Sequence, residues 1–223
     1  MPTFMNSVFR KALMTLTGIV MLWFLTAHML GNTLILHGPG DINAYSSGLH
    51  ILPTFLLGVR LALLVILLLH VFLGVMLTLE NWKANPQKYA VKRMVKATFS
   101  GETMIWSGLL ILSFLVYHLL HFTFRVVPGV AEATDPQGRF DVFNMVVKAL
   151  RSGTIALVYL AAMGVLFLHL SHGVQSIYQT IGMNNEKAMP WVVVIGKAVA
   201  VFFLVGYGVI PVLILAGIGV FAK

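Results

Sequence analysis

Cysteine is absent from the 223 residues. That one absence excludes disulfides, thiolate-held iron–sulfur clusters, thiolate zinc sites and covalent haem attachment through Cys-x-x-Cys-His. Any redox group would need other ligands. Charge is also scarce: 10% of residues are Asp, Glu, Lys or Arg, against roughly 25% in an ordinary soluble domain. Acids are scarcest, with seven Asp and Glu beside 15 Lys and Arg. Apolar residues make up 59% and the mean hydropathy is +0.91, which excludes a soluble globule, because only a bilayer leaves that much apolar surface without penalty. Length and composition predict one integral membrane domain over residues 1–223. The formal charge of +8 does not point to nucleic acid, since no soluble basic face exists to hold one. A solvated loop facing anionic lipid or a partner is the use it suggests.

Five apolar stretches each reach the ~20 residues that cross the hydrocarbon as a helix: 12–36, 51–79, 104–127, 152–181 and 191–221. No alternating ten-residue pattern of a membrane barrel is present, so the predicted fold is all-α with five transmembrane helices. Arg10 and Lys11 precede the first run, but the run is too long for a signal peptide and no small-residue cleavage site follows, so it is expected to stay in the mature chain. Arg10, Lys11, Lys83, Lys88, Lys92, Arg93, Lys96 and Lys187 fall on one side of the membrane. The other side carries Arg60, Arg125, Arg139, Lys148, Arg151 and Lys223, together with Asp41, Glu132, Asp135 and Asp141. This bias predicts a cytoplasmic N-terminus. Gly38, Pro39 and Gly40, Asn85 and Pro86, and Pro128 and Gly129 mark breaks between spans. Pro211 predicts a kink in the fifth, and Lys197 is expected to snorkel to the interface. No internal repeat or low-complexity segment is evident by inspection.

What the chain has in excess is histidine: eight residues, six of them inside spans. A lone intramembrane histidine often only bridges helices by a hydrogen bond. Here His28, His70, His118 with His121, and His169 with His172 occupy the first four spans in turn, while the fifth has none. At ~1.5 Å rise per residue, His28 and His118 lie roughly 24–27 Å from the cytoplasmic ends of their helices, and His70 and His169 roughly 15 Å. Two levels, each with two imidazoles from alternate helices, is how a four-helix bundle clamps planar macrocycles in its core. With both axial positions filled, such a group relays electrons and offers no open site. A zinc or di-iron site would want carboxylates, which the spans lack. Gly74 and Gly173 each follow a histidine by four residues and so lie on its face; Gly31 and Asn32 stand similarly to His28. Ordinary helix packing explains such glycines equally well. Residues three apart on a helix diverge by ~60°, so His121 and His172 neighbour the same group without sharing ligation, as candidates for propionate contacts, quinone contacts or helix bridging. Spacing favours His169 by its glycine and His118 slightly by depth. His37 and His50 fall in the outer loop and are expected to be solvated.

At these residues the chain resembles the diheme cytochrome b membrane anchor of succinate dehydrogenase and fumarate reductase, the single-subunit type with five helices. The resemblance covers essentially the whole chain, through TAHMLGN around His28, the buried His70, YHLLHFTF at 117–124 and HLSHGVQSIYQTIGMNN at 169–185. It implies two b-type haems with axial ligands His28, His70, His118 and His169, the first paired with the third and the second with the fourth. The extra His121 and His172 leave the ligand choice in spans three and four open. It further implies a respiratory-chain and tricarboxylic-acid-cycle enzyme in a prokaryotic plasma membrane. There a flavoprotein subunit oxidises succinate, an iron–sulfur subunit passes the electrons on, and this chain anchors both and reduces a quinone, menaquinone in close relatives. Trimers of complexes and the direction of the reaction stay open.

Under that reading Arg125 and Arg151 are candidates for propionate contacts or plain interfacial anchors. Thr15, Thr17, Gln175, Ser176 and Tyr178 are candidates for a quinone pocket near the cytoplasmic ends. The alternatives are a diheme anchor for a hydrogenase or formate dehydrogenase, and a cofactor-free transporter, which would be expected to carry acids in broken helices.

Overall fold

The structure is a computed structural model that describes residues 6–84, 99–128 and 133–222. Lys88, Lys92, Arg93, Lys96, Glu132 and Lys223, and the predicted breakers Asn85, Pro86 and Gly129, lie outside the described residues. Among those described, the elements are helical and the only β contact is an isolated bridge between Thr134 and Phe140. The chain is all-α, with five helices long and apolar enough to cross a membrane.

Helix α1 (Ser7–Thr33) starts where the Asn6 side chain accepts the Phe9 N–H at 2.8 Å, satisfying one of the donors a helix start leaves open. It tightens into a 3-10 turn over Leu34–His37 and stops at Gly38, whose φ of +113° suits only glycine. The segment expected to be an outer loop is instead a second helix, α2 (Pro39–Leu49), with Pro39 in its first turn. Next come α3 (Pro53–Ala84), the short α4 (Phe99–Glu102) and α5 (Met104–His118).

The third span was expected to run to 127, but it ends at Thr123 in a wide turn over Leu119–Thr123. There Phe124 N–H reaches back five residues to the Leu119 carbonyl at 2.8 Å, and Arg125 takes φ +56°. The residues up to 127 are apolar enough to continue, but Pro128 sterically disfavours helix just before it. Helix α6 (Val142–Leu150) is a further addition, capped by Asp141, which accepts the Asn144 N–H. Then follow α7 (Gly153–Thr180) and α8 (Met189–Ala216), the latter running unbroken through Pro211, with a final turn at Gly219–Phe221.

The most extensive pairing is α7 with α8; α1 lies against α3 and α5 against α7, with α1 also meeting α7 and α8. Two apolar clusters form the core. One is a cap built from Ile35, Ile42, Phe143, Val147, Leu150, Tyr159, Ile210, Ile214 and Phe221. The other joins α1, α7 and α8 through Met29, Ala162, Met163, Leu166, Leu170, Ala200 and Phe203. Neither contains a residue of α3, whose one fully buried side chain is Leu73. Helix α3 therefore enters little of the side-chain core.

The cap is fastened by polar groups. Asn43, fully buried on α2, donates to Asp135 Oδ2 (3.3 Å) and Asp141 Oδ1 (3.2 Å) and accepts the Phe143 N–H at 3.0 Å. Arg139 pairs with Asp135 at 2.7 Å. Burial works against the charge on both carboxyls but is outweighed. Arg139 and Asn43 hold Asp135 below the usual carboxylate range, and Asn144 and Asn43 do the same for Asp141.

Candidate functional site: two imidazole pairs

The histidines meet in two pairs. His28 on α1 and His118 at the end of α5 have ring centroids 5.9 Å apart, and His70 on α3 and His169 on α7 have theirs 6.5 Å apart. We call these the upper and lower pairs, the lower lying nearer the start of α1. The pairing follows from helix geometry: the paired helices run the same way, α1 with α5 and α3 with α7, so residues at equal distance from their lower ends meet at one level.

At the lower pair Thr17 Oγ1 lies 3.1 Å from His70 Nδ1, and Ser107 Oγ lies 3.2 Å from His169 Nδ1. The next residue in each case is glycine. A Cβ on Gly18 would lie 3.5 Å from His70 Cε1, and one on Gly108 3.3 Å from His169 Cε1, so each ring rests against bare backbone. One turn beyond each histidine, Gly74 is covered by the Met14 methyl and Gly173 by that of Met104.

These parallels expose a repeat that inspection of the sequence missed. Residues 14–28 and 104–118 align at an offset of 90, with Met14/Met104, Gly18/Gly108, Leu22/Leu112, Phe24/Phe114, Leu25/Leu115 and His28/His118 identical and Thr17 matched by Ser107. Residues 61–75 and 160–174 align at an offset of 99, with Leu61/Leu160, Ala62/Ala161, Leu67/Leu166, Leu69/Leu168, His70/His169, Gly74/Gly173 and Val75/Val174 identical. Helices α1 and α3 thus form one half and α5 and α7 the other, and each imidazole pair joins equivalent positions of the two.

The upper pair is less symmetric. His28 Nε2 lies 3.1 Å from Asn32 Nδ2, while His118 Nδ1 is 3.4 Å from the Tyr159 hydroxyl. His121 bonds that same hydroxyl through Nδ1 at 3.0 Å and stacks on Phe122 with centroids 4.1 Å apart, so it is His118 that faces His28. Phe24 stacks on His28 at 5.5 Å, and Tyr207 of α8 stands 6.1 Å from it with its hydroxyl donating to the Leu25 carbonyl. Tyr159 and Tyr207 were not foreseen as site residues; each is an apolar body with one polar end, which marks no function in a sequence.

The other sequence candidates disperse. Gly31 lies against the Tyr45 ring, a packing role. Arg125 sits over Phe140 at 4.6 Å, and Arg151 donates to the Phe221 carbonyl at 3.2 Å. Gln175 is buried, bonded to the Ser171 carbonyl and closed against Gly196. Thr15, Ser176 and Tyr178 are half-buried, and no hydrogen bond among the described residues joins any two of Thr15, Thr17, Gln175, Ser176 and Tyr178. A cleft of about 330 Å³ opens elsewhere at the lower end, lined by Thr78, Asn81, Trp82, Glu102 and Trp106 among others. His37 and His50 are exposed, His37 beside Asp41 and His50 on the Ser46 carbonyl, and Lys197 is exposed.

These residues fit a planar, axially ligated metal group. Two imidazoles on opposite sides of one metal, with metal–nitrogen bonds of about 2 Å, hold their centroids about 6 Å apart, and both pairs are near that separation. Two buried polar atoms also lack a partner among the described residues: Arg10 Nε and His172 Nδ1. Arg10 is ion-paired to Glu80 and lies on α1 seven residues, about 10 Å, below Thr17. Its unmet donor suits a carboxylate.

Comparison of the chain with family models, with curated proteins and with solved structures found no match in any of the three. What the fold itself defines is a class: a helical protein with five helices able to span a membrane. The histidine pairs carry the more particular reading.

Proposed function

We propose that this chain is the membrane-anchor, electron-transfer subunit of a succinate:quinone oxidoreductase. It takes electrons from an iron–sulfur subunit at its lower end and delivers them through two b-type haems to a membrane quinone, menaquinone by resemblance. The observation that carries this is the pair of imidazole pairs at two levels, with ring separations of 5.9 and 6.5 Å. A haem with both axial positions filled accepts and releases one electron at a time and gives oxygen no open site. Within that scheme His28 and His118 hold the upper group and His70 and His169 the lower. Arg10 offers an unmet donor to a carboxylate edge, and the movable Met14 and Met104 side chains overlie the glycines beside the lower ligands. The lower end is assigned to the cytoplasm of a prokaryotic plasma membrane because Arg10, Lys11, Lys83 and Lys187 gather there, with the flavoprotein and iron–sulfur subunits docked on it.

The test is a reduced-minus-oxidised spectrum of the purified complex with a haem count. The expected result is a low-spin b-type signal, two haems per chain, and a co-purifying subunit with covalent flavin. A colourless chain overturns the proposal. Two haems without the flavin subunit would transfer the chain to an anchor of another quinone-linked enzyme, such as a hydrogenase or formate dehydrogenase.

A further inference from the structure

The two hydroxyls at the lower pair carry one proton each, and each has a backbone carbonyl within hydrogen-bond distance to take it. Thr17 Oγ1 donates to a backbone carbonyl, Met14 at 2.9 Å or Leu13 at 3.0 Å. Ser107 Oγ donates to the Met104 carbonyl at 3.0 Å. A hydroxyl has one hydrogen to give and two lone pairs, and a carbonyl can only accept. With its proton so committed, each oxygen meets the imidazole only as an acceptor, so Nδ1 of His70 and of His169 must carry the ring hydrogen. A neutral imidazole has one N–H, which leaves Nε2 bare on both. The halves of the repeat thus present the same tautomer by the same means: a hydroxyl that grips Nδ1, followed by a glycine that lets the ring approach the helix.

We propose that Thr17 and Ser107 are the positioning residues of the lower pair: they fix His70 and His169 as Nε2 ligands and set how strongly each donates to a shared metal. This deepens the two-haem reading and rests on it. A ligating histidine that donates its other N–H becomes a more basic ligand, and here the accepting hydroxyl is itself polarised by the bond it gives to a carbonyl. A more basic axial nitrogen favours the oxidised metal and lowers its potential. The upper pair has no such arrangement: His28 meets an amide through Nε2, and His118 shares one phenol with His121. The two centres are therefore tuned differently, and the lower one depends on two hydroxyls that a sequence alone assigns to no role beside the ligands.

The experiment uses the complete complex in its membrane. Wild type is compared with Thr17→Val, Ser107→Ala, their combination, and the exchange Thr17→Ser with Ser107→Thr, which keeps both hydroxyls. Haem content, the midpoint potential of each haem and the low-spin electron paramagnetic resonance signals are measured, the lower haem being identified by its absence in His70→Ala. The expected result is a lower haem whose potential rises in each single variant and rises further in the double, with an altered resonance signal. Haem affinity at that level is expected to fall roughly 10- to 100-fold. The upper haem stays unmoved and the exchange variant matches wild type. Selective loss of the lower haem that the hydroxyl-keeping exchange avoids counts as the same result. Unchanged potentials and signals in a two-haem protein overturn the positioning role alone, as does an equal shift of both haems or a loss that the exchange also suffers. A wild-type complex with no haem overturns the two-haem reading instead, and the positioning role with it.

Discussion

Asn43 gives the most demanding test of how the upper cap is held. Its side chain is fully buried, and replacing it by alanine removes three hydrogen bonds at once: two donated to Asp135 and Asp141 and one accepted from the Phe143 N–H. The orphaned Phe143 N–H alone should cost about 1–3 kcal/mol. The carboxylates lose less, because Asp135 keeps Arg139 and the Gln137 N–H while Asp141 keeps Asn144. The total expected for Asn43→Ala is about 3–5 kcal/mol. That corresponds to a fall on the order of 10 °C in unfolding midpoint for a chain of this size. Asn43→Asp should be worse at neutral pH. It keeps an acceptor for Phe143 but trades the donor for a third negative charge between two carboxylates. Thermal unfolding of the detergent-purified protein, followed by intrinsic fluorescence, measures both. The reasoning is refuted if either variant lies within about 0.5 kcal/mol of wild type, the range of an inconsequential surface change, or if aspartate is milder than alanine at pH 7.

The same cap predicts an acid dependence. Asp135 and Asp141 are held below their ordinary values, so their contribution is complete above the unfolded carboxyl value of about 4 and is lost as pH falls through the lowered folded values. Unfolding midpoints should be level down to about pH 5 and drop in stronger acid, with a shallower drop in Asp141→Asn; an equal drop in both would show that the carboxyl contributes nothing. Alanine at His28 or His118 should remove one haem and at His70 or His169 the other, while His121→Ala retains both, as a pyridine haemochrome count would show. Leucine at Gly18 or Gly108 should displace the adjoining imidazole and deplete the lower haem only, whereas alanine at Gly18, whose Cβ would meet His70 at 3.5 Å, should be tolerated. Because α3 has one fully buried side chain, haem-depleted protein should exchange its α3 amides with deuterium well before those of α7 and α8. Equal protection across the three helices would mean that α3 docks without help.

The depth of the histidines was legible because a straight helix turns residue count into distance, and the span order then fixed which helices run antiparallel. Thr17 was legible only as a polar residue near one end; that its hydroxyl grips His70 depends on contact across 53 residues of chain. Arg10 read as an interfacial charge, but it is buried against Glu80, a partner 70 positions away. The repeat escaped notice because leucine-rich spans match one another by chance, and the positions that distinguish it are few: a methionine, a hydroxyl and a glycine before one histidine, and a glycine after the other. Helix α2 was hidden by its Gly, Ser and Pro content, which ordinarily marks turns. Helix α6 did carry a signal in Asp141, a favoured N-cap residue directly before the largely apolar run Val142–Leu150.

A core assembled from two like halves gives neither side of an imidazole pair a distinction of its own. Helix α8, which stands outside the repeat, supplies one. Tyr207 leans on His28 at the upper pair, while lower down the same helix meets α7 at Gly196, against Gln175 and the Ser171 carbonyl. Two matching sides thus receive different walls, and part of that difference originates in the helix that has no twin.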